Sequence, residues 1–164
     1  MTCALHGAPC RACLNAPPGS TQSSISTTSA SRTASAALAA AWWEEAPHVY
    51  AGKDVEAGGT WMGINKQGRF AAITNIRNGE GKKSRAPSRG KIVADFLCND
   101  ISPSSYLHAI AADAKLYAGF NFIVGDAKDL YWFSNETLET QLLQPGLYGL
   151  SNGSLDTPWP KVTL

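Results

Sequence analysis

The chain has 164 residues, a formal net charge of +1 and a hydrophobic content of 44%. This length fits one ordinary domain and leaves little room for a second. The near-neutral charge gives no electrostatic basis for a nucleic-acid partner, and no apolar run reaches the roughly 18 residues that a membrane-spanning helix needs. We therefore expect a globular protein with no nucleic-acid partner and no membrane span.

The first 41 residues differ sharply in composition from the rest. Between Ser20 and Ala41 all but four residues are Ser, Thr or Ala, and the first acidic residue is Glu44. A segment with so few large apolar groups cannot offset the entropy of ordering its backbone. The composition predicts a disordered arm over residues 1–41 and a folded domain over residues 42–164. An acid-free, Ser-rich arm is also typical of an organellar transit peptide, and that alternative stays open.

Three of the four cysteines lie near the start, in the pattern C-x2-H-x3-C-x2-C formed by Cys3, His6, Cys10 and Cys13. Zinc takes four Cys or His ligands in a tetrahedron, so this pattern raises the question of a metal site. Structural zinc sites usually separate two ligand pairs by a longer loop, whereas these four residues lie within eleven positions. We assign no metal site, and metal binding by these four residues stays open.

The folded part begins with patterns of β-strands. Residues 49–51 predict a short strand. Residues 60–65 and 69–76 are rich in β-branched and aromatic side chains and flank a turn in which Gly68 supplies a positive φ, so they predict a β-hairpin. The polar stretch over residues 79–87 predicts a loop.

Two helices are predicted next. Apolar residues recur at helical spacing over residues 92–97, which predicts the first helix. Ser102 as N-cap, with Pro103 at the first helical position, predicts the start of the second, and Gly119 is predicted to end it as the C′ residue. His108 lies off the apolar stripe of this second helix, so we expect it to be exposed.

The last part of the chain returns to strand patterns. The stretches FNFIVGD at 120–126 and LYWFSN at 130–135 predict two strands joined by a short turn, and LYGLSN at 147–152 predicts a third. A hairpin, two helices and a meander in this order predict an α+β fold, with antiparallel sheets and two packed helices.

Five ordered blocks of the chain carry a family resemblance. They are AWWEEAPHVYAGKDVEAGGTWMGINKQGRFAAITNIR, SRGKIVADFL, YAGFNFIVGD, LYWFSN and GLYGLSNGSLDTPWPKV. Together they resemble the NRDE family, whose eukaryotic members are the transport and Golgi organization protein 2 proteins. The similarity runs from about Trp42 to Val162, which is almost the whole predicted folded part.

The chain departs from this family at both ends. Family members begin Met-Cys and carry an Asn-Arg-Asp-Glu signature before the tryptophan pair, whereas this chain begins Met1-Thr2-Cys3 and lacks that signature. Family members also continue beyond the last of the five blocks. We therefore expect a disrupted N-terminus and a truncated C-terminus, with residues 1–41 a frame-shifted arm and residues 42–164 a partial family domain.

The resemblance implies a layered architecture like that of the N-terminal-nucleophile (Ntn) hydrolases. In such enzymes a Cys exposed by removal of Met is the nucleophile, and its own amine is the general base. The resemblance assigns this role to Cys3, and assigns oxyanion stabilisation to Asn75 and Asn152, for hydrolysis of C–N bonds. For both asparagines the alternative is a strand-ending residue that bonds to the backbone. We expect no amidase activity in this chain, because Thr2 precedes Cys3.

Small-molecule binding or trafficking is the function that we favour over catalysis. Relatives in the family are associated with haem trafficking and, in eukaryotes, with Golgi organisation and secretion, so the resemblance implies a haem-like ligand and no resident cofactor. The predicted ligand-binding residues are Gly59, Thr60, Trp61, Arg77 and Trp159. Met62 and Trp132 are further candidates for the apolar wall of a flat ligand, although an ordinary core position is the stronger alternative for Trp132. We expect a cytoplasmic protein, with mitochondrial or Golgi association, ligand identity and oligomeric state left open.

Overall fold

The computed structural model describes residues 37–76 and 86–157. Within these residues, seven strands form one antiparallel sheet, in which every strand pairs with the next along the chain. The strands are β1 (Ala37–Trp42), β2 (Val49–Asp54), β3 (Met62–Asn65), β4 (Phe70–Asn75), β5 (Phe120–Gly125), β6 (Leu130–Ser134) and β7 (Glu139–Leu142). Between β4 and β5 lie helix α1 (Gly90–Cys98), helix α2 (Pro103–Asp113) and a short 3-10 helix (Ala114–Leu116). The predicted α+β class is confirmed.

The hydrophobic core lies between the two helices and one face of the sheet, which we call the covered face. The helices contribute large apolar side chains such as Phe96 and Leu97, at the helical spacing that the sequence predicts. The hydroxyl of Tyr106 on α2 donates to the carbonyl of Ile92 on α1 at 2.7 Å and joins the two helices. The covered face contributes Val49, Ala51, Ala71, Ile73, Phe120, Phe122, Val124 and Phe133. The opposite side of the sheet, which we call the open face, carries no helix among the described residues.

The hairpin of β3 and β4 has the predicted turn, and this turn also holds the end of α1. Gly68 has a φ of +77°, a conformation that glycine adopts without a steric cost. The side-chain amide of Asn65 donates to the carbonyl of Leu97 at 2.9 Å. The guanidinium of Arg69 donates to the carbonyls of Phe96 and Ile101. These carbonyls at and just beyond the end of α1 are therefore bonded by side chains from the hairpin.

The start of α2 is as predicted, but its end is not. The hydroxyl of Ser102 accepts the backbone N–H of Ser105 at 3.2 Å, with Pro103 at the first helical position. The expectation that Gly119 ends the helix as a C′ residue is wrong, because α2 stops at Asp113 and passes into the 3-10 helix. Gly119 instead fits a narrow space, since a Cβ there would lie 2.5 Å from a carboxylate oxygen of Glu136.

In the last part of the chain, β7 was not predicted, and the strand predicted over residues 147–152 does not form. β7 occupies residues 139–142 and pairs with β6, with Tyr131 opposite Leu142. The expected strand over residues 147–152 is wrong, because residues 147–150 have no regular secondary structure and residues 151–152 lie in a bend. Its backbone forms hydrogen bonds with a nearby residue. The N–H of Gly149 donates to the carboxylate of Asp156 at 2.7 Å, and the N–H of Asp156 donates to the carbonyl of Gly149 at 2.8 Å.

β1 begins at Ala37, whereas the composition predicts that the folded part begins at Trp42. It covers residues 37–42 and pairs with β2, with Trp42 opposite Tyr50. All six of its residues are exposed, so the pairing rests on backbone bonds more than on burial. Residues 1–36 of the predicted arm lie outside the described residues.

Candidate functional site

The candidate residues that the structure describes lie at one end of the sheet, which we call the site end. Antiparallel pairing places the end of β4 beside the start of β3 and the start of β5. The backbone N–H of Ile73 donates to the carbonyl of Trp61 at 2.8 Å, and Asn75 pairs with Phe120. The structure therefore brings the Gly59–Trp61 stretch and the end of β4 to the same edge.

Gly59 and Thr60 fix the first turn of α1 against the sheet. The backbone N–H of Thr60 donates to the carbonyl of Gly90 at 3.1 Å. A Cβ on Gly59 would lie 2.4 Å from the carbonyl carbon of Gly90, so only glycine fits there. Thr60 is 1% exposed, and its hydroxyl donates to the carbonyl of Met62 at 3.1 Å. The backbones of Gly59 and Thr60 and the side chain of Thr60 therefore make contacts that hold the fold, and ligand binding by these two residues stays a prediction.

Trp61 and Met62 present apolar surface at the site end. Trp61 is 43% exposed and Met62 is 61% exposed. Met62 pairs with Ala72 on the open face. Large apolar side chains left this accessible are available to a ligand or to another polypeptide.

Trp132 is buried, unlike Trp61 and Met62. It is 3% exposed, and its indole N–H donates to the side-chain carbonyl of Asn121 at 3.1 Å. Trp132 is buried beside Asn121 on the open face, outside the core between the helices and the sheet, and its polar group is satisfied.

Asn121 is a buried polar junction that sequence reasoning missed. It is fully buried in β5 and connects three parts of the fold. Besides accepting from Trp132, its amide donates to the carbonyl of Gly153 at 2.7 Å and reaches the hydroxyl of Thr74 at 3.4 Å. The hydroxyl of Thr74 in turn donates to the carbonyl of Ser151 at 2.8 Å. The only sequence signal is a polar residue inside the apolar run FNFIVG.

Asn75 and Asn152, the two predicted oxyanion donors, meet at the site end. The side-chain amide of Asn152 donates to the backbone carbonyl of Asn75 at 2.8 Å. An amide nitrogen carries two N–H groups, so this bond uses one of them. The side chains of Thr74 and Asn121 also bond to this part of the chain. These contacts hold residues 149–157, which we call the C-terminal segment, against the end of β4 and the start of β5.

Arg89 directly precedes Gly90, whose carbonyl accepts from Thr60. Its guanidinium donates to the carbonyl of Gly119 at 2.8 Å. Burial lowers the pKa of Arg89 from its ordinary value, because a low-dielectric environment disfavours the charged form. Its bond to the Gly119 carbonyl links the start of α1 to the connection that leads into β5.

The remaining predicted site residues lie outside the described residues. These are Cys3, Arg77 and Trp159, together with the candidate metal ligands His6, Cys10 and Cys13. Their roles stay predictions. In the described ranges, no group of three or more His, Cys, Asp or Glu side chains could hold a metal ion. His108 is exposed on α2, as predicted.

Among the described residues, no helix is both long enough and apolar enough to cross a bilayer.

Comparison with known proteins identifies close sequence relatives. The family model described as Transport and Golgi organisation 2 matches residues 31–164. The chain is 39% identical over 135 residues to a bovine protein named Transport and Golgi organization protein 2 homolog, which covers 77% of this chain and 49% of the bovine protein. The human homolog is 36% identical over 130 residues, covering 74% of this chain and 47% of the human protein.

A relative with a lower sequence identity has the same name. The Drosophila melanogaster protein named Transport and Golgi organization protein 2 is 34% identical over 144 residues, covering 79% of this chain and 51% of that protein. The chain thus spans about half the length of the curated relatives that it matches.

Proposed function

The chain belongs to the Transport and Golgi organisation 2 family, and we propose that it binds a small, flat, largely apolar ligand of the haem type for transport and does not act as an enzyme. The relatives are named for transport and Golgi organization, which supports a role in moving cargo. One structural observation carries the ligand proposal. Trp61 and Met62, consecutive in the chain, are both exposed apolar residues at the end of the sheet where Asn152 bonds to Asn75.

This combination suits a flat amphipathic ligand. Small-molecule sites are mostly apolar, with a few polar groups that fix the orientation of the ligand. The indole of Trp61 offers a face for stacking on an aromatic macrocycle, and the thioether of Met62 is a polarisable, adaptable contact. The amide of Asn152 supplies a polar group at the same end of the sheet.

Titration of the full chain with haemin tests this proposal. Haemin binding is followed by the haem absorbance band and by quenching of tryptophan fluorescence. We expect Trp61→Ala and Met62→Ala each to weaken binding by about tenfold, which corresponds to about 1.4 kcal/mol. Trp42→Ala is the matched control, because Trp42 is similarly exposed, at 51%, but lies on β1 away from the site end.

Two results would contradict the ligand proposal. One is the absence of saturable haemin binding by the full chain. The other is an equal loss of affinity in Trp42→Ala and Trp61→Ala, because this would indicate nonspecific association with exposed aromatic surface.

A second candidate function is hydrolysis of C–N bonds on an Ntn-hydrolase-like architecture. The contact between Asn152 and Asn75 supports it, because the side-chain amide of Asn152 reaches the backbone of Asn75 at the sheet edge where oxyanion donors are expected. Cys3 is the proposed nucleophile. This alternative is tested by an assay of the full chain on a panel of amides, with Cys3→Ala as the matched variant. Hydrolysis by the full chain that disappears in Cys3→Ala would favour catalysis over ligand transport.

We propose the cytoplasm as the compartment of this transport function. Fractionation of cells that express the full chain tests the assignment, and recovery mainly with Golgi or mitochondrial membranes would contradict it.

A further inference from the structure

Asn152 is one of two asparagines in the chain that a glycine follows directly, and Asn78 is the other. In an Asn-Gly pair the backbone nitrogen of the glycine can attack the side-chain amide of the asparagine, and the missing Cβ leaves this approach unhindered. Asn78 lies outside the described residues. Of the asparagines that the structure describes, Asn152 therefore has the least hindered neighbour for this attack.

The local structure leaves the reacting groups of this pair accessible. Residues 151–154 lie in bends, and both Asn152 and Gly153 are partly exposed. No hydrogen bond between described residues uses the backbone N–H of Gly153. The side-chain amide of Asn152 donates to the backbone carbonyl of Asn75 at 2.8 Å. The attacking nitrogen is therefore not tied to a neighbouring group, and the side chain that it attacks is open to solvent.

The same pair lies between two bonds that hold the C-terminal segment. The carbonyl of Ser151 accepts the hydroxyl of Thr74 at 2.8 Å. The carbonyl of Gly153 accepts the side-chain amide of Asn121 at 2.7 Å. Asn152 adds the third bond itself, so three consecutive residues attach the segment to the sheet. A chemical change at Asn152 acts on the middle of this attachment.

We propose that Asn152 is a site of spontaneous deamidation, and that the reaction releases the C-terminal segment from the sheet. The backbone nitrogen of Gly153 loses its proton and forms a bond to Cγ of Asn152. The bond from Cγ to the side-chain nitrogen breaks, and that nitrogen leaves with the proton as ammonia. The resulting succinimide ring takes up water from the solvent. Opening at Cγ gives aspartate, and opening at the main-chain carbonyl gives isoaspartate.

Both products weaken the attachment of the segment. A carboxylate has acceptor oxygens and no N–H group, so it cannot donate to the carbonyl of Asn75 and its charge is repelled by that oxygen. Isoaspartate also routes the main chain through Cγ, which adds a backbone carbon between Ser151 and Gly153. The carbonyls of these two residues then no longer have the spacing that fits Thr74 and Asn121. Faster amide hydrogen exchange over residues 149–157 is the expected consequence.

Ageing of the full chain tests the reaction. The protein is incubated in mildly alkaline buffer at body temperature and digested, and mass spectrometry locates each deamidated asparagine. Methylation by an isoaspartate methyltransferase identifies the isoaspartate product. Asn152 should react at a rate within about tenfold of that in a synthetic peptide of residues 149–157. Asn75 is the internal control: it is exposed at the same end of the sheet, but the β-branched Ile76 follows it, so it should stay intact.

Two variants block the reaction in different ways. Gly153→Ala places a Cβ beside the attacking nitrogen, and Asn152→Gln lengthens the side chain so that the attack has to close a larger ring. Each should slow deamidation at this position by about tenfold or more. Among the described glycines, a positive φ occurs at Gly58 and Gly68 only, so the backbone at Gly153 accepts alanine. Aged wild type should exchange faster over residues 149–157 than fresh wild type, whereas aged Gly153→Ala should match its fresh form.

Three outcomes would overturn the proposal. The first is an Asn152 that stays intact in the full chain after the peptide has reacted to completion. The second is deamidation at the same rate in Gly153→Ala and in the wild type. The third is a deamidated chain whose exchange over residues 149–157 equals that of the fresh protein, which would show that the modification does not release the segment. None of these measurements involves haemin, so their results and the test of the ligand proposal are independent.

Discussion

The backbone of Gly59 lies directly against that of Gly90, so that a Cβ on Gly59 would approach three backbone atoms at 2.4 to 2.7 Å. This contact joins the start of the β3 hairpin to the first turn of α1. Because the opposing atoms are backbone, they cannot rotate away as a flexible side chain would.

Gly59→Ala should therefore destabilise the fold by about 1–3 kcal/mol, the usual cost of overpacking a closely packed contact. Urea unfolding followed by circular dichroism measures the change. Gly146→Ala is the control, because the nearest atom to its added Cβ is a Tyr148 ring carbon at 3.4 Å. Equal stability of the two variants would show that α1 can shift away from the hairpin at little cost.

Removal of the guanidinium of Arg69 should loosen the end of α1. Arg69→Met keeps much of the side-chain volume but leaves the carbonyls of Phe96 and Ile101 without their donor. Each buried carbonyl that loses its partner costs roughly 1–3 kcal/mol. The free energy of unfolding of Arg69→Met should fall accordingly, whereas Lys128→Met, at an exposed position, should change it little. An unchanged value for Arg69→Met would mean that the cost of burying the charge cancels the two bonds.

Asn121→Ala should release the C-terminal segment. The substitution removes the acceptor of the Trp132 indole N–H and the donor to Gly153. We expect a loss of about 2 kcal/mol or more in unfolding free energy, and faster amide hydrogen exchange over residues 149–157. Gln67→Ala, at an exposed turn position, is the control. Exchange that is unchanged over the segment would show that Thr74 and Asn152 suffice to hold it.

Asp126 should make stability depend on pH in the acid range. Its carboxylate accepts the backbone N–H groups of Lys128 at 2.9 Å and Asp129 at 3.1 Å. These bonds lower the pKa of Asp126 below its ordinary value of 3.8. A carboxyl with a lowered folded-state pKa stabilises the protein above its unfolded-state pKa, and this contribution is lost as the pH falls through the folded-state value.

Asp126→Asn retains an oxygen acceptor for the turn but does not titrate. The stability advantage of the wild type over this variant should be present near neutral pH, decline as the pH falls below about 4, the unfolded-state pKa of aspartate, and be lost as the pH passes the lower folded-state pKa. Urea unfolding at a series of pH values measures it. Asp126→Ala, which removes the acceptor as well, should be less stable than Asp126→Asn across the whole range. A wild-type advantage that persists at low pH would contradict this account.

Local signals in the sequence were sufficient where one turn or one cap decides the structure. Gly68 was predicted in the hairpin turn because a positive φ favours glycine, and it has that φ. Ser102 and Pro103 were predicted to begin α2 because capping depends on neighbours within a few residues. The strands at 120–126 and 130–135 were predicted from their apolar composition alone and are β5 and β6.

Prediction from the sequence was wrong where contacts between residues far apart in the chain determine the secondary structure. The stretch at 147–152 has the composition of a strand, yet its backbone bonds to Asp156 and to the side chain of Thr74 on β4. β7 contains the polar residues Glu139, Thr140 and Gln141, so its strand state comes from pairing with β6 and not from propensity.

The sequence by itself determined the family, the α+β class, the hairpin and the helix start, because these follow from motifs and from interactions within a few residues. Only the tertiary structure decided that Gly59 is needed for backbone contact with Gly90, that Trp132 is buried while Trp61 is exposed, and that Asn121 fastens a segment some thirty positions away. The reason is physical. Burial, close approach and hydrogen bonding between distant residues depend on which elements fold against each other, and no local pattern records that arrangement.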